Sequence, residues 1–315
     1  WSSDVCFRSL TTGVSYKFVL KTAAGILLGT YDNIIPINDA SQTIFTGFKG
    51  QVGTVESLAG DDGADWIGYT PPGAGAVPES VADKLAQTVS VKDFGAVGDG
   101  VTDDYQAFQN AIDSLPISGG TIFIPATTTN QWKISQTLNV RKKTHLIGQV
   151  SHGTGNEKGT QLIFPADVSG IVFNSATTSL YQTVPADPSL PGAYGSILEN
   201  VFLLGGGGTT SADGVVIRCG MECRHVSARS FSRYGFRIYA TIGGGGSIEG
   251  DANGWKLDNC QAVANGSHGF YTDGSDSNVG TAIRCTALVN AGYGFYDNSF
   301  LGNTWIGCEI GRAHV

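Results

Sequence analysis

The sequence predicts an all-β solenoid of stacked coils, capped at one end by a single amphipathic helix and preceded by a small β-rich unit. Three observations carry this. One helical pattern, Ala107, Phe108, Ala111, Ile112 and Leu115, is followed by strand signals and no second such helix. Small apolar anchors then recur as Val201/Leu203, Val226/Ala228, Cys260/Ala262, Cys285/Ala287 and Cys308. A ring-Gly-Phe turn also recurs, at Tyr234-Gly235-Phe236, His268-Gly269-Phe270 and Tyr293-Gly294-Phe295. Spacings mostly in the twenties, with two strand signals per unit, are the mark of stacked β-coils.

Residues 1–50 read as a small β-rich domain. Tyr16 to Leu20 alternates, residues 22–25 turn, and Ile26 to Leu28 returns, which predicts a hairpin. Residues 51–88 are rich in Gly, Pro, Asp and Ala and read as a linker, with a short helix over 80–86. The run VSVKDFGAVGDGVTDD at 89–104 reads as a short strand, a tight turn on Gly95, Gly98 and Gly100, and a helix start. Thr102 is placed as N-cap, with Asp103 and Asp104 in the first turn near the positive end of the helix dipole. The helix is expected to stop at Pro116. Its role is to cover the apolar end and unpaired edges that stacked coils otherwise expose.

Coils over 89–309 follow. Upstream ones are placed at 121–124, 132–134, 145–148, 161–164, 170–173 and 197–203, interrupted by a Pro-rich excursion at 175–196. Such an excursion is either the wall of a binding groove or a tolerated insertion or subunit contact. The long interval before Cys260 implies an outward loop over 241–253. Alternation turns Val201, Val226, Cys260, Cys285 and Cys308 inward, with Phe236, Phe270 and Phe295 as a second interior stack. The cysteines then act as small buried hydrophobes rather than disulfide partners. Asn265 and Asn290 share one turn position and form a structural ladder.

The run DFGAVGDGVTDD…AFQNAID…GGTIFIP resembles the start of the pectate-lyase-like right-handed, single-stranded parallel β-helix. LAGDDGADWIGYTPPGAGAVPESVADKLAQTVSVKDFGA and YKFVLKTAAGILLGTYDNI resemble the lead-in of bacteriophage tailspike and tail-fibre proteins. The likeness covers residues 16 to about 125 closely and the rest by pattern. In that family the aspartate motif caps the helix, so Asp93, Asp99, Asp103 and Asp104 are expected to be structural. The resemblance implies a homotrimer on the virion tail, attached through its N-terminal domain to a tail or baseplate protein. It also implies that the rod binds and depolymerises a bacterial capsule or O-antigen polysaccharide. A non-catalytic adhesive fibre is one alternative. A bacterial pectate-lyase-like or epimerase-like enzyme is another, disfavoured by the phage-like lead-in.

Composition sets further bounds. The chain has 315 residues, 45 glycines and a formal net charge of −8, with charged residues at 15%. That suits a turn-rich β protein and argues against disorder. The only basic cluster is Arg141, Lys142 and Lys143, so nucleic-acid binding is not expected. The longest early apolar run, Ala23 to Gly29, is far too short to span a membrane, and membrane insertion is not expected. No CxxC pair, phosphate loop or EF-hand spacing appears, so no metal or cofactor is expected. The chain starts at Trp1, and its last six residues, IGRAHV, look like a translated sequencing adapter. The true N-terminus is therefore expected to be missing, residues 310–315 to lie outside the natural sequence, and the β-helix over 89–309 to be incomplete at its C-terminal end.

The same register exposes a candidate surface. Tyr234, His268 and Tyr293 fall in one outward column, and Arg237, Tyr271 and Tyr296 in another. Such rings offer a platform for sugars, though aromatic ladders also simply stabilise solenoids or fill subunit interfaces. Asp273, Asp276 and Asp297 flank the columns as catalytic candidates. Asp273 and Asp297 on neighbouring coils would suit a glycosidase pair. In a lyase, a carboxylate would neutralise the uronate while His268, Tyr271 or Arg237 abstracts the proton. The plainer reading is that these aspartates shape turns. Glu222, Glu249 and Asp251 are weaker alternatives, and His225 and Arg284 lie on another outward face.

Overall fold

A computed structural model describes residues 16–21, 24–25, 27–34, 44–46, 52–54, 58–149, 159–175, 191–242 and 248–311. The chain divides into two compact units, Trp1–Gln87 and Thr88–Val315. In the first, Tyr16–Lys21 pairs antiparallel with Leu27–Ile34, giving the hairpin expected from the alternation. Two shorter antiparallel pairs, Ile44–Thr46 with Val52–Thr54 and Gly68–Tyr69 with Glu79–Ser80, follow. A short helix, Val81–Ala86, is capped where the Asp83 N–H donates to Ser80 Oγ (3.0 Å).

The second unit is a parallel β-helix. Each full coil contributes one strand to each of three parallel sheets, of eight, eight and six strands. In a late coil these are Lys256–Asp258 (first sheet), Gln261–Val263 (second) and Phe270–Gly274 (third). The first and second sheets are joined by a single residue at positive φ: Asn200 (56°), His225 (51°), Asn259 (52°) and Arg284 (52°). One left-handed residue is enough to turn the chain sharply, which keeps this corner short in these four coils, whereas six residues separate Gly120–Ile124 from Gln131–Lys133 at the same corner of an earlier coil.

The interior matches the expected alternation. Val201, Val226, Cys260 and Cys285 are fully buried, and Phe236, Phe270 and Phe295 stack at 4.9 and 4.8 Å. The thiols are free. Each reaches the preceding coil in the same way: Cys260 Sγ to Cys223 O (3.4 Å), Cys285 Sγ to Leu257 O (3.7 Å) and Cys308 Sγ to Ala282 O (3.6 Å). Burial pushes the Cys260 thiol well above its ordinary pKa, so it stays an inert donor. The asparagine ladder is present too. Asn265 Oδ1 accepts from Phe231 N–H (3.1 Å), and its Nδ2 donates to Ala228 O and Asn290 Oδ1. Asn290 Nδ2 in turn donates to Ala262 O (2.9 Å).

The cap differs in detail from the sequence reading. The helix is Tyr105–Ser114, buried on Ala107, Phe108, Ala111 and Ile112, but Thr102 and Asp103 belong to the strand Asp99–Asp103. Asp104 takes the N-cap position without capping the helix. Its buried carboxylate accepts the Val97 and Gly98 N–H groups (2.6 and 3.0 Å). Asp99 accepts from Val101 and Thr102, Asp103 from Tyr105 and Ser135, and Asp93 from Ser90 N–H. The aspartates tie down a glycine-rich turn, and the tight turn outcompetes the helix for Thr102. The excursion after Ser175 is joined at its base by a Ser175–Gly192 bridge, and the loop over 241–253 begins and ends in a short antiparallel pair. Residues 176–190 and 243–247 lie outside the described residues.

Candidate functional site

The outer face of the third sheet gathers the predicted binding residues. Strand register places Arg237, Tyr271 and Tyr296 in one outward column and Tyr239, Asp273 and Asn298 in the next. Tyr234, His268 and Tyr293 precede these strands by two residues each, at the turn. The two aromatic columns interleave. Tyr234 stacks on Tyr271 at 4.2 Å and 3°, Tyr271 on Tyr296 at 5.1 Å and 6°, and His268 on Tyr296 at 5.1 Å and 6°. His268 also stacks on Tyr234 (5.5 Å) and Tyr293 (5.3 Å).

This geometry corrects the expected platform. The ring faces cover one another, so along the stack the surroundings meet ring edges and polar tips. Arg233 lies 4.8 Å over the Tyr234 ring, covering it from another side. The stack therefore offers ring edges and polar tips, not open ring faces, along its length.

His268 Nδ1 accepts the Tyr293 N–H at 2.8 Å, which leaves the ring proton on Nε2. Burial lowers the His268 pKa further. His268 is therefore a neutral donor, which disfavours it as the base of a lyase. Tyr271 donates its hydroxyl to Asp273 Oδ2 (2.9 Å), and burial, with Asp273 beside it, pushes its pKa up. It stays a protonated phenol at neutral pH.

The three candidate carboxylates separate. Asp273 sits half-buried on the outer face, its Oδ1 accepting from Asn298 Nδ2 (3.0 Å) and Gly274 N–H (2.8 Å). Asp297 pairs in register with Thr272, whose side chain is fully buried, so it points to the opposite side of the sheet. There it accepts from Ser299 N–H, Asn303 Nδ2 and Trp305 Nε1 (3.1, 3.1 and 3.3 Å). Burial works to raise its pKa, but these donors prevail and hold it below the ordinary range. Asp273 and Asp297 therefore cannot act as a glycosidase pair. A shift of one residue along a strand reverses the face, and the two positions differ by one. Asp276 lies beyond the strand, in a turn. Its Oδ1 accepts from Asn253 Nδ2 (3.4 Å), and it lines a cleft of about 470 Å³ with Asn278, Val279, Phe300 and Leu301.

A buried charge cluster beside the stack escaped the sequence reading. Asp213, 1% exposed, takes Arg233 Nε and Nη2 at 2.7 and 2.5 Å, and Arg237 Nη1 stands 3.7 Å away. Burial raises the Asp213 pKa against the pull of Arg233 and lowers that of Arg237. The Tyr239 ring receives the Arg237 guanidinium at 4.7 Å and that of Arg218 at 5.7 Å. The signal was available: Asp213-Gly214-Val215 occupies the same turn as Tyr234-Gly235-Phe236, since Val215 pairs with Phe236. Reading that turn only as ring-Gly-Phe hid it. Of the weaker alternatives, Glu222 lies on the first sheet, bound by Arg224. Asp251 accepts from Asn253 N–H in a turn, and the Glu249 side chain lies outside what is described.

Comparison with known proteins fits this architecture. Residues 88–185 match the family described as rhamnogalacturonase A/epimerase, pectate lyase-like. The chain is 52% identical over 164 residues to the tail spike protein of Shigella phage Sf6, covering 44% of this chain and 25% of that one. It is 31% identical over 157 residues to mannuronan C5-epimerase AlgE2 of Azotobacter vinelandii, covering 47% and 15%. The chain thus spans a quarter or less of these relatives. Among solved structures, Geobacillus virus E2 ORF18 aligns with a TM-score of 0.53 at 20% identity over 79% of this chain and 49% of its own. The tailspike of E. coli bacteriophage HK620 in complex with pentasaccharide aligns at 0.53 and 16% over 81% and 45%. At such identities the structural likeness speaks for the fold. The resemblance read from the N-terminal third therefore stands: the chain folds as a pectate-lyase-like right-handed parallel β-helix and, over the part that matches, is similar to a phage tailspike.

Proposed function

We propose that this chain is part of a phage tailspike whose rod binds a bacterial capsule or O-antigen polysaccharide along the outer face of the third sheet and depolymerises it. The observation that carries this is the interleaved stack of Tyr234, His268, Tyr271, Tyr293 and Tyr296 with Asp273 fixed at its side by the Tyr271 hydroxyl. Hydroxyl tips and the His268 Nε2–H donate to sugar oxygens, and Arg237 sets the local charge. Asp273 is the proton-transfer group. The pentasaccharide bound by the HK620 tailspike, a fold relative, supports a glycan ligand. On this reading the N-terminal unit joins the rod to a tail or baseplate protein. The working form is a homotrimer on the virion tail, exposed to the host surface.

Of the described carboxylates on this face, Asp213 is committed to Arg233 and Asp273 is not bound by arginine. A hydrolytic mechanism then needs a partner for Asp273 from beyond these side chains. A purely adhesive fibre is the second reading, favoured by the full hydrogen bonding of Asp273 and the neutral state of His268 and Tyr271. Incubation with purified capsular and O-antigen polysaccharides decides between them. New reducing ends without ultraviolet absorbance mean hydrolysis, and absorbance of an unsaturated uronate means elimination. Binding without either product means adhesion.

A further inference from the structure

We infer that the outer face of the first sheet carries a second glycan site, a groove for an acidic polysaccharide strand lying along the rod axis. The inference rests on the polysaccharide-binding reading above but concerns a different face. Two cavities of about 200 and 350 Å³ share Gly195 and Ile197 and so run into one another. Together they follow one outward column, Thr121, His145, Ile197, Glu222 and Lys256, whose members are register neighbours on successive coils. Four steps of ~4.8 Å make the groove about 19 Å long.

Along its edge the turns present Gly119, Gly195, Gly220 and Gly254. Gly195 and Gly254 have positive φ (69° and 72°), where a side chain would be strained as well as obstructive. The groove is therefore open to an extended polymer across several coils.

Its charges select the ligand. Both oxygens of Glu222 are held by Arg224 at 2.7 and 2.8 Å. Glu199, in the neighbouring column, faces His145 Nε2 at 3.2 Å and Arg224 Nη1 at 3.8 Å. The carboxylates are thus matched within the wall. Exposed Lys143 and Lys256 are different: among the described residues neither forms a salt bridge. They stand three coils apart, about 14 Å along the axis. Lys256 adds to the field that lowers the Glu222 pKa, but neither lysine is held in an ion pair among the described residues, so a groove with two exposed lysines suits a linear chain of spaced carboxylates. The groove column has no Phe, Tyr or Trp ring for a base to stack on and only the single imidazole of His145, which favours an acidic glycan over single-stranded nucleic acid.

The test uses the full chain, polygalacturonate, its carboxyl-reduced neutral form and single-stranded DNA in binding assays. Polygalacturonate should bind, and the reduced polymer and the DNA should bind far more weakly. K143Q/K256Q should weaken polygalacturonate binding about tenfold at low salt, a difference that shrinks as salt screens it. The polymer should also protect both lysines from amine acylation, read by mass spectrometry. Unchanged affinity in the double variant, equal binding of the neutral polymer or DNA, or unprotected lysines would overturn the groove. The two readings fail separately. Lysine-dependent binding with no cleavage of any capsule sinks third-sheet catalysis alone, whereas cleavage with lysine-independent binding sinks the groove alone.

Discussion

Two arginine–carboxylate pairs, one on the first sheet and one beside the third, show how the same chemistry is turned to different ends by burial. On the first sheet Arg224 grips Glu222 with two hydrogen bonds, both groups partly open, and the Glu222 pKa falls. Beside the third sheet Arg233 grips Asp213 in the same bidentate way, but Asp213 is buried and its pKa rises. In the open pair the arginine's hydrogen bonds outweigh desolvation. In the buried pair desolvation outweighs them. The first face carries a partly open charge ladder, and the third an aromatic stack beside a buried ionic cluster.

The largest expected break in this contrast is Asp213→Ala. It leaves Arg233 and Arg237 without their shared carboxylate and should destabilise the rod by about 3–5 kcal/mol in denaturant unfolding. A loss below about 1 kcal/mol, the range of an exposed pair, would show that the cluster is not effectively buried. Next is Asn265→Ala, which removes the acceptor for Phe231 N–H and the donor to Ala228 O inside the coil. Its cost should be about 1–3 kcal/mol, measured the same way.

Arg224→Gln on the open face should cost about 0–1 kcal/mol, and the loss should fade in high salt. The pH dependence follows from the signs. The lowered folded pKa of Glu222 adds stability above its unfolded pKa, and this is lost as pH falls through the folded value. The raised folded pKa of Asp213 acts oppositely. Its ionisation costs stability at neutral pH, and the cost is relieved as pH falls through that folded value. Comparing unfolding of Arg224→Gln and wild type across acidic pH should therefore show their difference closing as pH drops.

Much of this was legible in the chain. The β-coils, the capping helix and the inward Cys and Phe stacks follow from period-two alternation and a repeated anchor, because parallel stacking forces equivalent residues above one another. The aromatic columns were legible for the same reason. What the sequence hid was orientation within a column. Nothing in Tyr271 or Tyr296 says that their rings turn face to face, and alternation had to be counted strictly to see that Asp273 and Asp297 look opposite ways. Asp213 was hidden by its type, since a carboxylate in a turn reads as a turn former unless its arginine partner, 20 residues away, is brought in by the coil. The cap motif misled in one respect: Thr102 has the chemistry of an N-cap, but Asp99 holds it in the preceding turn.

The most direct test of the central claim is turnover by Asp273→Asn on a polysaccharide that the wild-type protein cleaves. The substitution keeps the shape of the side chain and an oxygen to accept the Tyr271 hydroxyl, and it removes the carboxylate. The account predicts a fall in rate of about 10²–10⁴-fold with binding retained. An unchanged rate would mean that the bond is broken elsewhere and that the ring stack beside Asp273 is scaffolding.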